Sequence, residues 1–184
     1  MTVTTLDPGT ALVVVDLQKG VAGLPTVHPA AEIVARSAEL ADAFRAKGLP
    51  VVLVRVTSGA PGRTEGPARR LPPQAGWADL LPELGQRDDD IVVTKHTWGA
   101  FHGTDLDLQL RRRGVTQVVV TGIATTKGVE STARAAHEHG YHVTVVTDAV
   151  TDTGDEDAHR HSVEKIFPAL GETGTTEAVL KLLG

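Results

Sequence analysis

The strongest constraint on this chain is a regular exchange between two hydrophobic periods. Short β-branched runs lie at Ala11 to Asp16, Pro50 to Val56, Ile91 to Thr94, Gln117 to Thr121 and His142 to Thr147. Strands of a parallel sheet, buried on both faces, read this way. The segments between them carry helical spacing. Pro29 to Lys47 sets Ile33, Ala41 and Phe44 among charged residues and stops at Gly48, a suitable helix-terminating glycine. Asp105 to Arg113 has Leu106 and Leu110 four apart, and Gly128 to His139 is alanine-rich. Asp155 to Phe167 and Thr176 to Leu183 complete the helices. Strands alternating with helices predict an α/β fold: a three-layer α/β/α sandwich around a mostly parallel, Rossmann-like sheet. A short strand near Glu172 to Thr175 makes six.

A chain of 184 residues fits a single domain spanning 1–184, with enough apolar content (41%) to bury a core unaided. The net charge of −5 and the lack of a basic tract argue against nucleic-acid and anionic-membrane partners. Arg111 to Arg113 sits at a predicted helix end, where cations oppose the negative end of the dipole. There is no cysteine, so disulfides, thiolate metal sites and thiol nucleophiles are all excluded. The polar start, Met1 to Gly9, lacks the apolar run of a signal peptide, and a cytoplasmic location is expected.

In open sheets of this class ligands bind beyond the carboxyl ends of the strands. Asp16 ends the first strand, Lys95 follows the third, and the turn Gly122 to Gly128 follows the fourth. An acid, a base and a glycine-bearing turn are thus expected on one sheet edge. Asp16 and Lys95 read either as a tuned acid–base pair or as a loop cap and a solvent-facing lysine. The stretch Thr121 to Thr132 reads either as an oxyanion site at a helix N-terminus or as a plain strand–helix turn. Thr57 to Gly76, rich in Gly, Pro and Arg, is long for a routine connection and is expected to be an active-site loop or lid.

Three segments together carry a specific resemblance. Val14-Val15-Asp16-Leu17-Gln18, then Lys95-His96 through Ala100-Phe101-His102-Gly103-Thr104-Asp105-Leu106, then Thr121-Gly122-Ile123-Ala124-Thr125 with Val129 to Arg134 resemble the signature blocks of isochorismatase-like hydrolases, in the family's order. The resemblance implies a six-stranded parallel sheet and assembly as a homodimer or homotetramer. It also implies an Asp–Lys–Cys triad, of which Asp16 and Lys95 match the first two members. A non-proline cis peptide is implied between Ile123 and Ala124, with the Ala124 N–H at the oxyanion position. Counting along Gly122-Ile123-Ala124-Thr125-Thr126-Lys127, the nucleophile's place falls on Gly128.

Glycine has no side chain with which to attack, so the chain resembles a variant of the cysteine hydrolase superfamily that lacks its nucleophile. The branch that hydrolyses isochorismate, a vinyl ether, also has glycine there. In that branch the aspartate protonates the enol-ether carbon and water adds to the resulting oxocarbenium ion. By resemblance Asp16 is the general acid, Lys95 orients it, and the missing thiol leaves room for a bulkier substrate. The turn Ala124-Thr125-Thr126 is closer to the amidase branch, and Val54 to Thr57 lacks the glutamine-bearing pattern of the isochorismatases. The chain therefore combines an amidase-type scaffold with an isochorismatase-type vacancy. A cofactor-independent hydrolase acting on a small molecule is expected. A catalytically inactive binding or scaffold protein and a non-thiol amide hydrolase are the alternatives.

Gln18, Trp98, Ile123, Ala124 and Thr125 are the expected substrate-binding residues. Gln18 orients Asp16 or caps its loop; Trp98 packs on a planar substrate or belongs to core or interface. Phe101 reads as packing, and Arg55 as a surface ion pair in preference to a carboxylate clamp. Thr125 and Thr126 read as capping or turn residues rather than nucleophiles. Of the eight histidines, the pairs His137/His139 and His159/His161 are two apart and do not face one another on a helix. The Asp-x-His metal motif of the family's nicotinamidases has no match between Thr57 and Gly76, which contains no histidine. No metal is expected. A nucleotide-binding reading fails because the first strand leads into Asp-Leu-Gln, not a glycine-rich phosphate loop.

Overall fold

The computed structural model describes residues 3–65 and 75–184. Six parallel strands form one sheet: β1 (Thr10–Val15), β2 (Val51–Val56), β3 (Ile91–Lys95), β4 (Gln117–Ile123), β5 (His142–Thr151) and β6 (Glu172–Gly174). Their order across the sheet is β3-β2-β1-β4-β5-β6. The chain moves outward from β1 to β3 on one side, then returns to the centre and builds the other half from β4. The switch point falls between β1 and β4, where a doubly wound sheet opens a crevice at its carboxyl edge.

The period of two in each strand separates the core into two faces. Ala11, Val13 and Val15 face the same side as Val52, Val54, Val118 and Val120, and pack on Leu106, Leu110, Ala133, Ala136 and Phe167. Leu12 and Val14 face the other way, with Leu53 and Val119, onto Ile33, Leu40, Phe44 and Val179. The α-helices are α1 (Lys19–Ala22), α2 (Ala30–Ala46), α3 (Leu106–Arg112), α4 (Glu130–Glu138), α5 (Glu156–His161), α6 (Phe167–Leu170) and α7 (Thr176–Leu183), and all but α1 and α5 supply the residues just named. α2 and α7 cover one face of the sheet; α3, α4 and α6 cover the other, as the three-layer expectation required.

The departures from the expected boundaries that bear on the site are in β5 and in two helices. β5 continues four residues beyond Thr147, because its pairing with β4 jumps from Val120↔Val145 to Gly122↔Val150. This bulge holds Asp148, whose carboxylate accepts the N–H and hydroxyl of Thr176 at the start of α7 (2.8 and 3.0 Å). The helix expected over Asp155 to Phe167 is interrupted by a π-helical turn, Ser162–Ile166, and runs on to Leu170. Pro168 has no N–H to return to Glu164, and the ladder widens just before it. A second π-helical turn, Thr125–Val129, precedes α4.

The expected loop or lid at 57–76 includes residues 66–74, which lie outside the described residues. At its near end Thr57 Oγ1 and Ser58 Oγ lie 3.0 and 3.1 Å from His96 Nδ1. No helix among the described residues is long and apolar enough to cross a membrane.

Candidate active site

Asp16 follows the last residue of β1 and leaves the strand with φ +53°. Few non-glycine residues adopt this left-handed region; aspartate is among the more tolerant. The turn breaks the in–out alternation of β1 and re-aims the carboxylate, while the Asp16 N–H still donates to Val54 O on β2 (2.9 Å).

Lys95 ends β3, two strands away, with all of β2 between it and β1. Two strand spacings are about 10 Å, a span that suits lysine's four-carbon stem. Its ammonium donates to Asp16 Oδ2 at 2.8 Å and to Thr97 O at 3.1 Å. Lys95 is 1% exposed and Asp16 5%. Burial pushes the Asp16 carboxyl up to about 6, against the opposing pull of the Lys95 charge and hydrogen bond. Desolvation outweighs pairing because nothing else solvates the anion: among the described residues Asp16 Oδ1 has no hydrogen-bond partner.

Gly128 lies against this pair. A Cβ placed on it would stand 3.0 Å from Asp16 Oδ2 and 3.0 Å from Val15 Cγ1. The room expected from a missing side chain is therefore not open at the Cβ position, because the aspartate carboxylate and a valine methyl already crowd it. Thr132 Oγ1 donates to Gly128 O (2.6 Å) and accepts from Ala100 N–H (3.1 Å), tying the turn to the segment after β3.

The peptide between Ile123 and Ala124 is cis, at the position the resemblance implied. Just before it, Gly122 has φ +122°, and a Cβ there would lie 2.0 Å from Val15 O, so only glycine lets β4 approach β1 this closely.

Residues 10–178 match the isochorismatase domain family. The chain belongs to the isochorismatase family. Among its relatives is the uncharacterised isochorismatase family protein YwoC of Bacillus subtilis, 43% identical over 181 residues, covering 94% of this chain and 93% of YwoC. An isochorismatase family protein from Burkholderia thailandensis superposes with a TM-score of 0.93 at 47% identity, over 97% of each chain. The ureidoacrylate amidohydrolase RutB of Methylobacterium radiotolerans is 32% identical over 210 residues, covering 97% of this chain and 81% of RutB. The protein is a hydrolase of this family.

Of the residues singled out in the sequence, the fold brings Asp16 and Lys95 into direct contact and sets Gly128 beside Asp16. Ala124 opens the turn that leads to Gly128, and Ile123 is buried within the apolar face under α2. Gln18 does not bond to Asp16. Its side-chain amide is spent on β2, accepting Val56 N–H (2.7 Å) and donating to Val56 O (3.0 Å), with Trp77 O at 3.3 Å. It braces the end of the strand over which Lys95 reaches, with both amide hydrogens engaged and the side chain fully buried. Trp98 is 58% exposed and so is not a core residue. Phe101 packs against His139 and Tyr141, with ring centroids 5.1 and 5.9 Å apart. Arg55 Nε donates to Thr94 Oγ1 (2.9 Å), across the β2–β3 pairing, in place of the expected acid partner.

Two side chains that sequence reasoning missed hold the turn from behind. Asp152, just past β5 and fully buried, accepts Thr126 N–H (2.6 Å) and Thr126 Oγ1 (2.7 Å) on one oxygen and Thr153 N–H (2.7 Å) on the other. His159 on α5 places Nδ1 2.9 Å from Thr125 Oγ1. Asp152 lies beyond the expected end of β5, and His159 reads in the sequence only as half of a helical histidine pair, because nothing local links either to the turn after β4.

Proposed function

We propose that this protein is a cofactor-independent hydrolase in which Asp16 and Lys95 perform acid–base catalysis without a covalent nucleophile. Gly128 then stands where the family's cysteine stands, and the substrate is a small vinyl ether of the isochorismate kind. The observation that carries this reading is the asymmetry of the Asp16 carboxyl. Oδ2 is taken by the Lys95 ammonium at 2.8 Å, while Oδ1 is buried and unpartnered among the described residues. A proton on this carboxyl belongs on Oδ1, because Oδ2 already accepts a cationic donor. With its midpoint raised to about 6, the group holds that proton close to neutral pH, as a general acid requires.

The chemistry follows from that placement. Once the substrate displaces the groups that enclose Oδ1, that oxygen delivers its proton to the terminal carbon of the enol ether, and the lone pair of the ether oxygen stabilises the oxocarbenium ion. Water adds to the cation and returns a proton to Asp16, and the hemiketal breaks its C–O bond to give a keto acid and an alcohol. The Asp16 carboxylate, held by Lys95, opposes the developing positive charge. A cytoplasmic homodimer or homotetramer is part of the same reading.

The test is isochorismate turnover followed by pyruvate release, in wild type beside Asp16→Ala and Gly128→Cys. Pyruvate from wild type, abolished in Asp16→Ala, is the expected result. Release that survives Asp16→Ala overturns the assignment. A second reading, amide hydrolysis without a thiol, is favoured by the similarity to ureidoacrylate amidohydrolase RutB and by the Ala124-Thr125-Thr126 turn. Ureidoacrylate cleavage by the unmodified chain, without pyruvate release from isochorismate, would select it. Tight ligand binding with no turnover of either substrate, indifferent to Asp16→Asn, would leave the chain a binding protein.

A further inference from the structure

The turn beside Asp16 is held by two consecutive grips from the segment after β5. Asp152 takes both the N–H and the hydroxyl of Thr126. The preceding residue, Thr125, is fully buried, and the hydrogen bond found for its hydroxyl is the one to His159 Nδ1 at 2.9 Å. A hydroxyl has one hydrogen to give. If His159 Nδ1 carried a proton and donated, the Thr125 O–H would be enclosed with no acceptor among the described residues. If Nδ1 is bare, Thr125 donates to it and the pair is satisfied. Burial therefore selects the neutral ring with its proton on Nε2.

We propose that His159 is a positioning residue for the Ala124–Gly128 turn, anchoring Thr125 through its neutral imidazole and releasing it when the ring gains a second proton. The role rests on the hydrolase reading above, since it acts on the turn that lies against Asp16. On protonation both ring nitrogens become donors, and Thr125 must rotate away from Nδ1 or leave its own hydrogen unpaired.

The surroundings of the ring favour the neutral form. The His28 ring, from the loop before α2, meets His159 edge-on with centroids 5.0 Å apart. Burial and the neighbouring His28 charge hold His159 below the usual histidine range, while Asp152 and Glu156 pull the other way. Lys127, on the turn itself, faces Asp152 with Nζ 3.6 Å from Oδ1. The second grip, from Thr126 to Asp152, is made to a carboxylate in place of an imidazole. One anchor of the turn is thus sensitive to acid, below the ordinary histidine range, and it is the one next to the cis peptide.

The substitutions that test this are His159→Leu, which removes the acceptor, His159→Asn, which keeps a polar atom near the Nδ1 position but cannot titrate, and Thr125→Val beside Thr125→Ser. The first readout is amide hydrogen exchange of residues 124–128, followed from pH 7.5 down through the acid range in which the fold persists and corrected for intrinsic rates. Wild type is expected to lose about tenfold protection on the acid side, with His159→Asn showing no such transition and His159→Leu unprotected throughout. The second readout is pyruvate release from isochorismate. His159→Leu and Thr125→Val are expected to lower kcat about tenfold with little change in KM, and His159→Asn and Thr125→Ser to recover most of it. Protection in wild type that is independent of pH overturns the proposal, as does a His159→Asn enzyme no better than His159→Leu. If wild type does not turn over isochorismate, that substrate reading fails, while the exchange experiment still decides the role of His159.

Discussion

Replacing Asp16 and Lys95 together, as Asp16→Asn/Lys95→Met, should make the protein more resistant to denaturant near neutrality than at mildly acidic pH, relative to wild type. The carboxyl rises from its ordinary 3.8 to about 6 in the folded chain, so between these values the folded state binds more protons than the unfolded one. Stability from this group is full below the unfolded value and is lost as pH rises through the folded value. At 1.36 kcal/mol per pKa unit, the shift corresponds to about 3 kcal/mol in total, of which about 2 kcal/mol falls between pH 4 and pH 7. With Asp16 at 5% exposure, solvent screening removes little of it. Removing Lys95 in the same variant avoids leaving a buried ammonium without its counter-ion, which would otherwise dominate the result. The assay is urea unfolding of both proteins at half-unit pH steps, plotted as variant minus wild type. The difference should climb by about 2 kcal/mol from pH 4 to pH 7. A flat difference curve, or one that falls, would refute the claim that burial outweighs pairing at Asp16.

The same protonation should shape catalysis: pyruvate release should decline above a midpoint of about 6, with a slope of one proton, because the general acid is then ionised. A pH–rate profile that stays flat through pH 8 would contradict that role. Gly128→Ala should lower turnover about tenfold and cost about 1–2 kcal/mol, since its Cβ would press on Asp16 Oδ2 and on Val15 Cγ1, both 3.0 Å away and both buried. Kinetics and urea melts on one preparation would measure both effects. Far from the site, Asp90→Ala should cost about 3–5 kcal/mol in chemical denaturation. It strips the buried Arg45 guanidinium of its two-point partner, held at 3.1 and 2.7 Å with side chains only 4% and 2% exposed.

The alternation of β-branched runs with helical segments was legible because burial on both faces admits few polar residues into β1, β2 or β4. The helix over Ala30–Ala46 was legible within a residue at each end for a similar reason: its apolar stripe and Gly48 are local signals. What was not legible came from long-range pairing. The extension of β5 to Thr151 depends on a register jump against β4, and no window around Asp148 encodes its partner. Gln18 looked like a neighbour of Asp16 in sequence, yet its amide is consumed by Val56, 38 residues away. Trp98 looked equally able to line a pocket or fill a core; the fold left it exposed.

By itself, the sequence determined the layered α/β architecture, the absence of any thiol, and the presence of an aspartate and a lysine at two strand ends and a glycine in the turn after a third strand. These are properties of composition and local period, which survive without knowledge of contacts. Only the tertiary structure decided that Lys95 reaches across β2 to a single oxygen of Asp16, that the other oxygen has no partner among the described residues, and that Asp152 and His159 grip the turn from behind. Hydrogen-bond satisfaction and desolvation depend on what surrounds an atom in space, and those surroundings are assembled from segments up to 79 residues apart along the chain.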